Sequence, residues 1–126
     1  MTILFLCVGN SCRSQMAEGL ARALSDGRHQ VWSAGTHPMT RVSPEAVQVL
    51  AEKGVDISAH RPKSITEVPA DVDLAVTLCE DRCPTLRAHR REHWPTPDPY
   101  GGPVDDFRTA RDQIEARVRD LLERLG

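Results

Sequence analysis

Hydrophobic residues in this chain occur either in short continuous runs or at helical spacing. The continuous runs cover residues 2–6 and 73–78, and residues 29–34 predict a further short strand. Such runs are typical of strands that are buried on both faces of a parallel sheet. Residues 15–24 and 107–125 instead carry apolar side chains at helical spacing, so we expect amphipathic helices there. Strands that alternate with helices predict a single α/β domain over residues 1–126, with a doubly wound parallel sheet.

Weaker patterns predict the shorter elements. The Ser43-Pro44 pair predicts the capped first turn of a middle helix. Ile57 lies in a polar, loop-like stretch, where it is either an anchor or part of a short edge strand. Ser64 is expected to cap a brief helix. The remaining predictions are a polar, partly helical segment at residues 80–91 and a short last strand at residues 92–94.

Composition and charge argue against several classes of protein. The formal net charge is −2, which provides no general attraction to nucleic acid or to an anionic membrane. No apolar run approaches membrane-spanning length, and no basic segment precedes the N-terminal apolar residues as in a signal peptide. We therefore expect a cytoplasmic protein, and a monomer. In a reducing compartment its four cysteines are expected to be catalytic or metal-binding rather than structural.

The segment from Cys7 to Ser14, Cys-Val-Gly-Asn-Ser-Cys-Arg-Ser, joins the first strand to the first helix. A short loop at a helix N-terminus directs backbone N–H groups inward and forms a cradle for an anion. Gly9 is expected to permit the tight turn, and Arg13 to present a planar fork to two oxygens of a tetrahedral oxyanion. The predicted oxyanion-binding residues are Val8, Gly9, Asn10, Ser11, Cys12, Arg13 and Ser14.

Cys7 is the candidate nucleophile of this loop. The helix N-terminus and Arg13 favour its thiolate form, and Ser14 is placed to donate a hydrogen bond to it. The implied reaction is attack by the thiolate on the central atom of the bound oxyanion. The alternative is a buried cysteine at a strand end beside a surface arginine. Cys12, inside the loop, is expected to be a packing residue.

Cys79 and Cys83 form a second candidate group, with C-x3-C spacing at the end of an apolar strand. Parallel strands present their carboxyl ends to one crevice, so Cys79 is expected to share a crevice with Cys7. One interpretation is a redox pair that serves Cys7. Another is a Cys2His2 zinc site completed by His89 and His93, although the gap between the pairs is short for zinc-finger patterns. A third interpretation is two unrelated buried cysteines.

Several motifs of this sequence together resemble one family. They are residues 5–19 around Cys7, Ser33-Ala34-Gly35, Val76-Thr77-Leu78-Cys79, Cys83-Pro84, Glu92-His93-Trp94 and Asp98-Pro99. The first motif resembles the signature of the low-molecular-weight protein tyrosine phosphatases. The whole set is similar to the thioredoxin-coupled arsenate reductases built on the same fold. This resemblance spans nearly the whole chain and implies a three-layer domain, with a four-stranded parallel sheet flanked by helices.

The resemblance also implies roles for individual residues. Cys7 would be the nucleophile, Arg13 the oxyanion clamp and Asp98 the general acid. Cys79 and Cys83 match the two resolving cysteines that take part in the reduction of arsenate to arsenite. Thioredoxin would be the external reductant, with no bound cofactor, and phosphate or sulfate would compete for the cradle.

Some residues depart from the family pattern. Cys79 and Cys83 are closer together than is usual in the reductases. Lys63 stands near the expected position of an acidic ligand for a monovalent cation, so no bound potassium is expected. The motif Asp98-Pro99-Tyr100-Gly101 resembles the phosphatase branch, which makes hydrolysis of aryl phosphates the second expected activity. Gln15, in contrast, replaces the proline that is usual in the phosphatase loop. Outside the enzymes, a zinc- or anion-binding regulatory module is the remaining alternative.

Overall fold

A computed structural model of the chain describes residues 1–79 and 87–126. The strands are β1 (Thr2–Cys7), β2 (Gln30–Gly35), β3 (Asp71–Thr77) and β4 (Arg87–His93). The helices are α1 (Arg13–Ser25), α2 (Pro44–Ala51), α3 (Val104–Leu125) and a short 3₁₀ helix (Ile65–Glu67). The strands lie in the order β2-β1-β3-β4, and every neighbouring pair is parallel. This arrangement confirms the predicted four-stranded parallel α/β fold.

Strand β1 lies at the centre of the sheet, between β2 and β3. Its residues 3–6 are at most 1% exposed, as expected for a strand that is covered on both faces. Cys7 pairs with Gly35 of β2, and Leu6 pairs with Thr77 of β3. The register therefore brings the C-terminal ends of three strands to one edge of the sheet, where the Cys7 loop begins.

The two faces of the sheet pack against different parts of the chain. Ile3 and Phe5 contribute to a core that α1, α2 and α3 complete. Leu4 contributes to a second cluster on the opposite face, which includes Ile65 and Val68. Full burial of a large apolar side chain stabilises a fold by about 1.5–3 kcal/mol. Because it is anchored on both faces, β1 provides a rigid base for the loop that follows it.

Strand β4 differs from the sequence-based prediction. The sequence predicts a partly helical segment up to residue 91 and a strand only at residues 92–94, but β4 runs from Arg87 to His93. This strand lies at the edge of the sheet and pairs with β3 alone. Most of its described side chains are polar and exposed, so it lacks the hydrophobic pattern that identifies a buried strand.

Other element boundaries differ by a few residues from the predictions. Helix α3 begins at Val104 rather than at Phe107, because Asp105 and Asp106 in its first turn complement the helix dipole. Both α1 and β3 begin two residues earlier than predicted. These shifts leave the order and the type of the elements unchanged.

The outcomes for the shorter elements are mixed. Pro44 is the first residue of α2, as predicted, but the Ser43 side chain makes no capping hydrogen bond. Ile57 is an anchor, 1% exposed, and lies outside the strands. Ser64 caps the 3₁₀ helix through a capping box with Glu67, which confirms that prediction. None of the helices in residues 1–79 and 87–126 is long and apolar enough to cross a membrane.

Candidate active site

Cys7 is the last residue of β1 and is 2% exposed. Its Sγ accepts a hydrogen bond from the backbone N–H of Asn10 at 3.3 Å. The Ser14 Oγ lies 2.8 Å from the same sulfur, as the sequence predicts. Hydrogen bonds that are donated to sulfur stabilise the thiolate more than the thiol. A thiolate at Cys7 could accept hydrogen bonds from both groups.

The backbone of the loop is held from outside by the segment that follows β2. The carbonyls of Val8, Gly9 and Ser11 accept hydrogen bonds of 2.9–3.0 Å from backbone N–H groups of residues 37, 39 and 43. Peptide N–H groups point opposite to their carbonyls, so this anchoring turns several N–H groups toward the inside of the loop. The loop leads directly into the N-terminus of α1 at Arg13. A loop of this kind could hold an anion, and anion binding by its residues stays a prediction.

Gly9 lies at a crowded point of the loop, as the sequence predicts, but it is not the residue with the left-handed backbone. The left-handed residue of the loop is Asn10, with φ of 49°, while Gly9 has no positive φ. A Cβ on Gly9 would lie 3.0 Å from Cγ of Met39, a close contact that glycine avoids. Asparagine tolerates the left-handed region better than most residues. The side chain of Asn10 also makes several of the hydrogen bonds of the site.

The guanidinium of Arg13 is buried and is fixed by two backbone carbonyls. Its Nη1 donates to the carbonyl of Leu78 at 3.2 Å and to that of Thr96 at 3.0 Å. These bonds occupy the two Nη1 hydrogens and fix the plane of the guanidinium. The Nε and Nη2 atoms are therefore the ones that could donate hydrogen bonds to an oxyanion. The Nη2 atom lies 3.6 Å from Oδ2 of Asp98.

Asp98 lines the same cavity as Cys7 and Arg13. Its Oδ1 accepts the backbone N–H of Tyr100 at 3.1 Å, and its side chain is 48% exposed. The cavity has a volume of about 160 Å³. This is smaller than the roughly 300–1,000 Å³ of ordinary ligand pockets, and it suits a small inorganic oxyanion. The structure thus brings Asp98, from a distant part of the chain, to the cavity that Cys7 and Arg13 line.

Cys79 follows β3 at the same edge of the sheet as Cys7. The N–H of Leu78 donates to the carbonyl of Leu6 at 2.8 Å, so the residues after this pair, Cys79 and Cys7, stand at adjacent strand ends. Cys79 is 3% exposed and disulfide-bonded, whereas Cys7 and Cys12 are free thiols. Cys83, the second predicted resolving cysteine, lies outside the described residues.

Cys12 has the surroundings of a packing residue, as expected from the sequence. It is 4% exposed, and its Sγ lies 3.1 Å from the Ser43 Oγ. Burial raises the pKa of the Cys12 thiol to about 11. Cys12 is therefore protonated at neutral pH and is a poor nucleophile beside Cys7. The contact also explains why Ser43 does not cap α2.

The structure reveals a supporting group of residues to which sequence reasoning gave no such role. Glu18 is buried and hydrogen-bonded to Ser33, and Lys63 approaches it from the segment before the 3₁₀ helix. The Nε2 of Gln15 donates to the side-chain oxygen of Asn10, and its Oε1 lies 3.0 Å from Nδ1 of His60. Burial lowers the pKa of His60, and its Nδ1 donates to Gln15, because the amide oxygen there can only accept.

The residues that the structure describes give little support to a bound metal ion. A monovalent cation near Glu18 does not fit, because the ammonium of Lys63 lies 3.5 Å from the carboxylate and would repel it. Within residues 1–79 and 87–126, no group of three or more His, Cys, Asp or Glu side chains is placed to hold a metal ion. The Cys2His2 alternative includes Cys83, which lies outside these ranges.

Comparisons with known proteins agree with this site and fold. The sequence matches the family described as low molecular weight phosphotyrosine protein phosphatase over residues 2–126. It is 41% identical over 130 aligned residues to an arsenate reductase of Staphylococcus aureus (strain Newman), covering 98% of this chain and 97% of that protein.

Two solved structures of arsenate reductases also resemble the fold. One, in the phosphate binding state, has a TM-score of 0.91 and 35% identity, covering 99% of this chain and 98% of the other. The second, in the oxidized state, has a TM-score of 0.88 with the same identity and coverage. With a family match over almost its full length, this chain belongs to the low molecular weight phosphotyrosine protein phosphatase family.

Proposed function

We propose that this chain reduces arsenate to arsenite, with thioredoxin as the external reductant and no bound cofactor. The observation that carries the proposal is the placement of Cys79 beside Cys7 at adjacent strand ends, above a cradle for a small oxyanion. Hydrolysis of a phosphate ester needs only one cysteine, whereas a thiol-dependent reduction needs a second one close by. We expect the protein to act as a monomer in the cytoplasm.

The first step forms a bond between Cys7 Sγ and arsenic. The thiolate attacks arsenate that is held by the loop N–H groups and by Arg13. One As–O bond breaks, and its oxygen leaves as water with a proton from Asp98. Asp98 lies beside Arg13, at the mouth of the same cavity, where a general acid can reach the leaving oxygen.

The second step transfers two electrons to arsenic. The Cys79 thiolate attacks Cys7 Sγ, the S–As bond breaks, and its electron pair reduces As(V) to As(III). Arsenite is released, and a Cys7–Cys79 disulfide is left. Phosphorus(V) does not accept electrons from thiols, so phosphate can bind in the cradle without being reduced.

The third step regenerates Cys7. The Cys83 thiolate attacks Cys79 Sγ, which frees Cys7 as a thiolate and forms a Cys79–Cys83 disulfide for thioredoxin to reduce. A free Cys7 thiol together with an oxidised Cys79 supports this order, because it corresponds to the state just before thioredoxin acts.

The direct test is NADPH oxidation in the presence of arsenate, thioredoxin and thioredoxin reductase. Oxidation should require arsenate and the wild-type chain, and Cys7→Ser should abolish it. Cys83→Ser should release one arsenite per chain and retain a Cys7–Cys79 disulfide that peptide mass mapping detects. Cys79→Ser should stop earlier, at the Cys7 adduct.

Hydrolysis of an aryl phosphate is the control for these two variants. It needs only Cys7, Arg13 and Asp98, so Cys79→Ser and Cys83→Ser should hydrolyse p-nitrophenyl phosphate at the wild-type rate. If both variants kept full thioredoxin-linked reduction of arsenate, the three-cysteine relay would be wrong.

A phosphatase that acts on aryl phosphates is the second candidate function. Tyr100 favours it, because this residue is 56% exposed and lines the same cavity as Asp98, where it could stack on an aromatic leaving group. A wild-type chain that hydrolyses phosphotyrosine well, and reduces no arsenate with any thiol donor, would replace the reductase with this function.

A further inference from the structure

Glu18 of α1 is a buried carboxylate that takes no part in the steps above. Its side chain is 3% exposed, and its Oε1 accepts a short hydrogen bond from Ser33 Oγ. Two cations lie near it: Lys63 Nζ is 3.5 Å from Oε1, and Arg22 Nη2 is 3.0 Å from Oε2. The Lys63 side chain is 15% exposed and that of Arg22 is 52% exposed. Lys63 is therefore the counter-ion that is buried with the carboxylate.

A chain of hydrogen bonds connects Glu18 to the nucleophile. The Nδ2 of Asn10 donates to Ser33 Oγ at 3.0 Å and to Ser14 Oγ at 2.8 Å. Ser14 Oγ in turn lies 2.8 Å from Cys7 Sγ. All five side chains of this path are buried, so water does not compete for these bonds.

The direction of each bond follows from the protons available. An ionised carboxylate only accepts, so Ser33 gives its one hydroxyl proton to Glu18 and accepts from Asn10. The backbone N–H of Lys63 donates to Asn10 Oδ1 at 2.8 Å, which fixes the orientation of the amide. Because Ser14 accepts from that amide, its own proton is directed to the nucleophilic sulfur.

We propose that Lys63 is a positioning residue for Cys7. Its ammonium compensates the charge of Glu18, and its backbone N–H orients the amide of Asn10. Both contacts make Ser14 a hydrogen-bond donor to the sulfur, and this donor stabilises the thiolate. The inference rests on the proposed role of Cys7 as the nucleophile.

The contact between Lys63 and Glu18 also predicts how the reactivity of Cys7 responds to potassium. A lysine ammonium beside Glu18 supplies the positive charge that a bound cation would otherwise supply. The reactivity of Cys7 should therefore be the same in potassium chloride and in tetramethylammonium chloride at equal ionic strength. A rate that falls when potassium is removed would overturn the proposal.

The main test compares lysine variants by the rate at which iodoacetamide alkylates Cys7 at pH 7, followed by peptide mass mapping. Lys63→Met keeps the backbone N–H and the aliphatic stem but removes the charge, and should slow alkylation about three- to tenfold. Lys63→Arg keeps the charge and should react at close to the wild-type rate. The matched control is Lys53→Met, which removes the only other lysine of the chain and its surface ion pair with Glu115. This control should react like the wild type.

Ser33→Ala provides an independent test if Lys63→Met does not fold. It breaks the same path between Glu18 and Asn10, so the alkylation rate should fall by a similar factor. In the double variant with Lys63→Met the loss should be no larger than in either single variant, because both changes interrupt one path. Wild-type alkylation rates in Lys63→Met or in Ser33→Ala would refute the proposal.

These outcomes separate the inference from the proposed function. If Cys7 of the wild type reacts no faster than Cys12, the nucleophile itself is wrong and the proposed function fails with it. If Cys7 of the wild type is alkylated rapidly and Cys7 of Lys63→Met is alkylated at the same rate, only the role of Lys63 is refuted.

Discussion

Gly35→Ala should damage the site more than the fold. Gly35 ends β2 opposite Cys7, and a Cβ there would lie 2.5 Å from the carbonyl oxygen of Val8 and 3.0 Å from the backbone nitrogen of Asn10. Carbon and oxygen atoms normally approach to about 3.3 Å, so the Val8 peptide must move by roughly 0.8 Å. Overpacking of this kind costs about 1–3 kcal/mol of unfolding free energy. A displacement near 1 Å in the cradle is expected to reduce turnover by about 100-fold.

The control is Gly19→Ala, which also crowds a buried position but lies away from the Cys7 loop. Its Cβ would lie 2.6 Å from Cγ2 of Ile57 and 2.9 Å from Cδ1 of Leu50, both of which are side-chain atoms. The better helix propensity of alanine offsets about 1 kcal/mol of the unfolding free energy that this overpacking costs. Urea unfolding measures stability for both variants. Turnover of p-nitrophenyl phosphate and its inhibition by phosphate measure the cradle. Wild-type phosphate affinity and turnover in Gly35→Ala would refute the claim that this contact sets the loop position.

Three further predictions concern single ionisable groups. Asp98→Asn should lower the kcat for aryl phosphate while leaving phosphate inhibition nearly unchanged, since an acid assists the leaving group and not the bound ground state; equal losses in both would make Asp98 structural. Iodoacetamide at pH 7 should modify Cys7 and spare Cys12, whose pKa is raised to about 11 by burial, and peptide mapping will detect any exception. Hydrogen bonds from two α3 arginines lower the pKa of Glu52 to about 2, so its stabilising contribution is lost as pH falls from about 4.5 to 2. Glu52→Gln should flatten acid unfolding in that window, as followed by circular dichroism, and an unchanged profile would contradict this assignment.

The Cys7 loop could be predicted from sequence because its signals are local. The buried run before Cys7, the helical spacing after Ser14 and the C-x5-R spacing between them all lie within one short segment. Strand β4 could not be predicted in the same way. Its backbone pairs with β3 at the sheet edge, but most of its described side chains are polar and exposed, so the hydrophobic pattern does not indicate the pairing.

The supporting contacts of the site could not be predicted, for a different reason. The sequence identifies Lys63 only as an unsuitable ligand for a cation. Its contact with Glu18 spans 45 positions along the chain and depends on where the segment before the 3₁₀ helix crosses α1. Ser43 shows the same limit, because a serine before Pro44 is typical of a helix cap, yet tertiary packing directs its hydroxyl to Cys12.

Arg13 illustrates how one residue can meet a sequence-based expectation and also do more. The expectation was a fork for an oxyanion, and its Nε and Nη2 can serve that purpose. Its Nη1 meanwhile holds the carbonyl of Leu78, next to Cys79, and that of Thr96, two residues before Asp98. The residue that would bind the oxyanion therefore also fixes the two chain segments that carry the proposed resolving cysteine and the proposed acid. Replacing Arg13 by lysine would keep the charge but lose this geometry, because an ammonium cannot donate to two backbone carbonyls and still present a planar fork to the anion.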